Sequence, residues 1–176
     1  MEKQVRVMTF VTNFNGGGPG HSAVAVDSTV YTFEDVGGGW LQEGSGWKKF
    51  GFDSYLKANA HRPVLVQTLS LVRGDSVVKY VDRSIAADDD YVSSGVCSSQ
   101  VSRAVNFGLP ENVDFDPKGI DTPYGVFYCA RRLSLVMKEE YFWPGRSSLG
   151  TLVWAGIVNK LQSDYPSVLA KMNVTP

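Results

Sequence analysis

A short polar interruption at Asp27 and Ser28 divides residues 21–35 (HSAVAVDSTVYTFED) into two segments of alternating apolar and polar character. Both segments are rich in the β-branched and aromatic residues that favour strands. A pair of turn-forming residues between two such segments is typical of a β-hairpin. The sequence therefore predicts two antiparallel strands joined by a tight turn.

The length of that turn decides which residues face each other. A two-residue turn sets His21 opposite Glu34 and places a carboxylate beside the imidazole. The same register contains two inner pairs, Ala23 with Thr32 and Ala25 with Val30. A three-residue turn shifts the pairing by one position and brings Asp35 opposite His21 instead.

The rest of the chain continues with strands first and helices behind. Apolar spacing predicts strands at 4–12 and 62–70, and helices near 52–60, at 75–86, at 97–107, from Thr122 and Pro123 onward, and within 148–172. No internal repeat and no linker interrupts this series. We therefore expect a single α+β domain over residues 1–176, with an antiparallel sheet packed against the helix that bears Cys97.

Composition excludes several classes of protein. Hydrophobic residues make up 43% of the chain, charged residues 20%, and the formal net charge is −1, so no basic surface for nucleic acid is expected. No stretch approaches the roughly 18 apolar residues of a membrane span, and the N-terminus alternates too strongly for a signal peptide. We expect synthesis in the cytoplasm, no integral membrane segment, no metal site and no cofactor.

The chain contains only two histidines and two cysteines, which makes the set of candidate catalytic groups small. Cys97 follows the turn residues at 93–95 and opens a predicted helix, where the helix N-terminus favours a thiolate. His21 begins a predicted strand, and Glu34 or Thr32 would orient its ring. The small side chains of Ala23 and Ala25 share the His21 face and would let the cysteine helix approach, bringing sulfur and imidazole together.

Three further residues have simpler expectations. The spacing of Cys129 within its predicted helix is typical of a core position. A disulfide between Cys97 and Cys129 is possible but is not the expected use of either cysteine. Trp40 and Trp47, in the loop expected after the hairpin, are candidates to line a substrate groove.

The motifs resemble a known family. A strand histidine in GHSAVAV, a hairpin that ends in a polar residue, and a later helix that opens as GVCSSQV are similar to the circularly permuted NlpC-type branch of papain-like cysteine hydrolases. The resemblance extends from about residue 5 to residue 133 and includes the segment DTPYGVFYCARRL. It implies a papain-like fold with Cys97 as nucleophile, His21 as base, and Glu34 or Thr32 as the third member.

The resemblance also implies a set of activities. It predicts a cysteine peptidase or amidase that cleaves amide bonds in peptidoglycan peptides, in the setting of an antibacterial toxin delivered to the periplasm of a target bacterium. Partners would then include an immunity or delivery protein. A lipid acyl-ester hydrolase or acyltransferase is the first alternative, and a binding module with Cys97 in its core is the second.

Overall fold

The computed structural model describes residues 2–10, 20–34, 46–59, 64–88, 97–115 and 123–142. Their elements, in chain order, are β1 (Val5–Phe10), β2 (His21–Val26), β3 (Thr29–Phe33), β4 (Trp47–Gly51), α1 (Phe52–Ala58), β5 (Val64–Leu69), α2 (Gly74–Ala86), α3 (Cys97–Gly108), α4 (Pro123–Arg132) and β6 (Val136–Phe142). The α+β class is confirmed. The helices predicted within 148–172, and Trp40, lie outside the described residues.

All these strands belong to one antiparallel sheet in the order β4-β3-β2-β1-β5-β6. In β2 every residue after His21 is buried, and in β5 every residue is buried. Continuous burial means that both faces of the central strands are covered. The sheet is therefore the middle layer of three, which confirms an antiparallel sheet packed against helices.

The β2–β3 hairpin has the register that a two-residue turn predicts. Ala23 pairs with Thr32 and Ala25 pairs with Val30. Asp27 has φ +51°, in the left-handed region that Asp tolerates, and its Oδ1 accepts a hydrogen bond from the Gln4 backbone N–H at 2.9 Å. The three-residue alternative, with Asp35 opposite His21, is wrong.

The two faces of the sheet have different cores. On one face, which we call the three-helix face, valines of β1 and β2 pack with α2, α3 and α4. On the opposite face, which we call the α1 face, Ala23, Ala25 and Val30 pack with Phe10 and with Tyr55 of α1. Since side chains alternate along a strand, His21 belongs to the α1 face together with Ala23 and Ala25.

The cysteine helix lies on the three-helix face. Val101, Ala104 and Val105 of α3 pack in the same cluster as Val24 and Val26 of β2. The expectation that α3 covers the Ala23 and Ala25 face is therefore wrong. The physical reason is the size of the two surfaces: the valines of β2 offer α3 a larger apolar area to bury, and the aromatic side chains of α1 fill the shallow alanine surface.

Candidate active site around His21

A glycine requirement positions His21 at the start of β2. Gly20 has φ +90°, and a Cβ at that position would lie 2.6 Å from the carbonyl oxygen of Phe10, the strand partner of His21. Only glycine allows both this backbone conformation and this close approach. The Gly-His pair therefore fixes the point at which the imidazole leaves the sheet.

His21 lies in a cluster of polar side chains on the α1 face. Its Nε2 is 2.7 Å from Thr32 Oγ1, 3.3 Å from the Tyr55 hydroxyl and 3.7 Å from Glu34 Oε1. Thr32 donates to Glu34 Oε1 at 3.0 Å, and Tyr55 donates to the same oxygen at 2.8 Å. The structure thus brings together His21, Thr32 and Glu34 and adds Tyr55.

The protons of this cluster can be assigned from its geometry. An ionised carboxylate only accepts hydrogen bonds, so Thr32 donates to Glu34 Oε1. The Tyr55 hydroxyl has two acceptors in reach, Glu34 Oε1 at 2.8 Å and Thr32 Oγ1 at 3.1 Å, and the shorter contact directs its proton at the carboxylate. The 2.7 Å contact between Nε2 and Thr32 Oγ1 then requires a proton from the ring. In this arrangement neutral His21 carries its ring proton on Nε2.

The pKa of the Glu34 carboxyl is held below its usual range by its neighbours. Partial burial by itself would raise the pKa of the carboxyl, but the hydrogen bonds from Tyr55 and Thr32, with the charges of His21 and Lys48, outweigh burial and lower it. Lys48 Nζ lies 3.7 Å from Glu34 Oε2. Glu34 is therefore the fixed negative charge of the cluster and can stabilise an imidazolium that forms at His21.

Tyr55 is the member of the cluster that sequence reasoning missed. It is 5% exposed, its ring meets Phe10 edge-on, and it stacks on Phe50 with the ring centroids 5.2 Å apart. The only sequence signal is an aromatic residue on a short helix after the hairpin. Nothing in that pattern says that α1 packs over His21, because the contact depends on tertiary structure.

A cleft of about 650 Å³ opens beside the cluster. His21 and Glu34 lie on its floor, and α1 and the end of β4 supply the remaining lining residues: Phe50, Ser54, Tyr55, Ala58 and Asn59. Apolar rings with a few hydrogen-bonding groups are typical of a small-molecule or acyl-binding cleft. The basic histidine therefore has space beside it for a substrate.

Cys97 is buried at the start of α3, with 6% of its surface exposed. The other end of α3 lies near the end of β2. The Gly108 backbone oxygen accepts a hydrogen bond from the Arg73 N–H. A Cβ on the next residue, Gly74, would meet Val26, the last residue of β2. The 12 residues of α3 span about 18 Å, and Cys97 is at the end of the helix remote from Gly108. The helix that it opens packs on the three-helix face, whereas His21 belongs to the α1 face.

Cys129 and Trp47 belong to the core of the three-helix face. Cys129 is buried in α4, as its spacing predicted, and both cysteines are free thiols. Trp47 opens β4 and is 6% exposed, with its indole Nε1 donating to buried Ser84 at 2.9 Å. Trp47 is therefore a core residue and is not among the residues that line the cleft beside His21.

In the described part of the chain, no group of three or more His, Cys, Asp or Glu side chains is arranged to hold a metal ion. None of the helices within the described ranges has the length and apolar character needed to cross a bilayer.

No protein-family model matches the chain, and comparisons with curated proteins and with solved structures returned no match. The interpretation of the site therefore depends on its own geometry.

Proposed function

We propose that the protein is a thiol hydrolase of papain-like type in which His21 is the general base and Cys97 the nucleophile. The observation that carries the proposal is the contact of His21 Nε2 with Thr32 Oγ1 at 2.7 Å, while Thr32 donates to Glu34 Oε1. In the proposed state the ring proton is on Nε2 and Nδ1 is the nitrogen that takes the thiol proton. A neutral imidazole with a carboxylate behind it is what proton transfer from a thiol requires.

The position of Cys97 adds a second, weaker line of support. The thiol opens a 12-residue helix, and the positive end of the helix dipole favours a thiolate. Cys97 and His21 are each the first residue of their element. We therefore propose that Cys97 Sγ approaches His21 Nδ1 past the start of β2.

The proposed reaction has two steps. Nδ1 of His21 takes the thiol proton, the Cys97 sulfur attacks the carbonyl carbon, and the backbone N–H of Cys97 donates to the oxyanion. Nδ1–H then protonates the departing amine as its bond to carbon breaks, leaving a thioester. Water, deprotonated by Nδ1, attacks that thioester, and the released thiol recovers the proton.

The proposed substrate is an amide bond in a peptidoglycan peptide, which follows from the family resemblance and not from the shape of the cleft. An antibacterial toxin with an immunity partner is the corresponding biological setting. Lipid acyl esters are the alternative substrate, because the same thiol chemistry cleaves both kinds of carbonyl.

One observation favours a second candidate function. The cleft, His21 and Glu34 are on the α1 face, whereas α3 packs on the other face. A binding module that uses the His21 cleft, with Cys97 as a core residue, is consistent with this separation. The two candidates differ in the reactivity of Cys97.

Alkylation with iodoacetamide distinguishes them without a substrate. Cys97 and Cys129 are both buried helix residues, and Arg132 donates to Cys129 Sγ at 3.6 Å, so Cys129 is an internal control for a buried thiol with a neighbouring cation. If Cys97 is activated, brief treatment of the folded protein below pH 7 labels Cys97 and spares Cys129. His21→Ala shifts the labelling of Cys97 to higher pH, because the imidazolium that favours the thiolate is lost.

Labelling of neither cysteine until the protein is denatured would contradict the hydrolase and favour the binding module. Labelling of Cys97 with the same pH profile in His21→Ala would separate the thiol from the imidazole and contradict the proposed pair.

A further inference from the structure

We infer that Tyr55 is a positioning residue of the His21 site, whose hydroxyl holds the Glu34 carboxylate in place and so keeps the imidazole protonated at Nε2. The inference deepens the proposed function, since it concerns the state of the proposed base. It concerns a residue of α1, outside the Cys, His and polar-residue set that the family resemblance implies.

The first step concerns Glu34 Oε1, which accepts hydrogen bonds from two hydroxyl groups. Tyr55 and Thr32 donate to the same oxygen of Glu34, at 2.8 Å and 3.0 Å. With two donors the carboxylate is fixed in one orientation, and charge-assisted hydrogen bonds of this kind are stronger than neutral ones. Tyr55 makes the shorter of the two bonds, and its hydroxyl also lies 3.1 Å from Thr32 Oγ1 and 3.3 Å from His21 Nε2. Its loss removes one of the two donors that orient Glu34.

The second step is the consequence for Thr32. While Glu34 Oε1 accepts its proton, Thr32 Oγ1 can only accept from His21 Nε2. A rotated carboxylate releases the Thr32 proton, and Thr32 can then donate to an unprotonated Nε2. The ring proton in that arrangement is on Nδ1, so Nδ1 can no longer accept the thiol proton as the proposed mechanism requires.

The third step is the rigidity of Tyr55 itself. Its ring contacts Phe10, edge-on with centroids 5.5 Å apart, and Phe50, stacked with centroids 5.2 Å apart. The phenol therefore has little rotational freedom, and its hydroxyl is presented to Glu34 at small entropic cost. Tyr55→Phe keeps both ring contacts and removes only the hydroxyl.

The test is nitrogen-15 NMR of the imidazole rings in the full chain. The chain has two histidines, so His21→Asn assigns the signals of His21 and leaves His61 as an internal reference. In the wild-type protein the inference requires the proton of neutral His21 on Nε2. In Tyr55→Phe the ratio of the Nε2–H to the Nδ1–H form falls by about three- to tenfold, as expected for loss of one hydrogen bond.

Tyr80→Phe is the matched control. The Tyr80 hydroxyl also donates one hydrogen bond of 2.8 Å, to Gln100, but in the α2–α3 packing and away from His21. The same change there leaves the His21 tautomer as in the wild type. Thr32→Val removes the direct acceptor of Nε2 and changes the ratio at least as much as Tyr55→Phe does.

Several outcomes would overturn the inference. A wild-type His21 protonated at Nδ1 overturns it without any variant, so the test does not depend on Tyr55→Phe folding. An unchanged ratio in folded Tyr55→Phe, or an equal change in Tyr80→Phe, overturns it as well. Cysteine labelling is a separate measurement. If the His21 tautomer ratio changes in Tyr55→Phe but Cys97 is inert to alkylation, the role of Tyr55 stands and the hydrolase proposal is rejected. If Cys97 is reactive but the tautomer ratio does not change, only the role of Tyr55 is rejected.

Discussion

At the scale of single residues, the site depends on a few positions whose chemistry cannot be exchanged. His21 supplies the only basic nitrogen of the described cluster, Glu34 supplies its negative charge, and Thr32 connects the two. Thr32 rather than Glu34 touches Nε2 at hydrogen-bond distance. Of the two residues predicted to orient His21, Thr32 is therefore its direct hydrogen-bond partner and Glu34 bonds to Thr32.

Gly20 gives a prediction at this scale. Gly20→Ala forces a Cβ to 2.6 Å from the Phe10 carbonyl oxygen at φ +90°. We expect the free energy of unfolding to fall by at least about 2 kcal/mol, from backbone strain and the displaced strand end. Urea denaturation measures the loss.

Gly51→Ala is the control for that change. Gly51 has φ −69°, and the nearest atom to its added Cβ is Ser54 Oγ at 3.7 Å, an ordinary contact. We expect Gly51→Ala to lower the free energy of unfolding by less than about 1 kcal/mol. Equal losses in the two variants would show that Gly20 is not required for its conformation.

At the scale of secondary-structure elements, local patterns predicted most of the described helices and the central strands. The alternation in β1, β2, β3 and β5 and the apolar spacing of α2 and α3 are local properties, and the turn at Asp27 fixed the hairpin register. Two edge strands, β4 and β6, were not predicted. β4 (WKKFG) has two adjacent lysines and β6 (VMKEEYF) three adjacent charges, so neither shows a clean alternation.

The placement of α1 and α3 on opposite faces was not predictable either. Both helices are amphipathic, and a hydrophobic stripe does not state which sheet face it will cover. That choice depends on the combined shape of several elements. It is also the reason that Tyr55 was missed and that Trp47 was assigned to a groove instead of to the core.

The junction of β4 with α2 gives a prediction at the element scale. Ser84→Ala leaves the buried Trp47 Nε1–H without this acceptor and should lower the free energy of unfolding by about 1–3 kcal/mol. The Lys49–Asp82 ion pair joins the same two elements at 3.0 Å, but both side chains are about half exposed. Asp82→Ala should therefore cost less than about 0.5 kcal/mol.

Thermal or urea unfolding of the two variants checks this difference. If Asp82→Ala is as damaging as Ser84→Ala, the buried tryptophan is not what fixes β4 to the helix layer.

At the scale of the whole molecule, the sheet separates two environments. One face carries the cleft with His21, Glu34 and Tyr55, and the other carries the core into which α3 is packed. The sequence motifs predicted the chemical identity of the candidate groups. Their arrangement about the sheet required the structure, because residues as far apart as 21 and 97 are related only through tertiary packing.

The central claim is covalent catalysis by Cys97, and intact-mass spectrometry tests it most directly. The full chain is incubated with purified peptidoglycan peptides and, separately, with a fatty-acyl ester, then quenched in acid. The hydrolase proposal predicts a mass increase equal to one acyl group with at least one of these substrates. Cys97→Ala should lose the adduct and Cys129→Ala, the matched control, should retain it. An adduct that persists in Cys97→Ala, or the absence of any adduct and of any turnover with both substrates, would contradict the account.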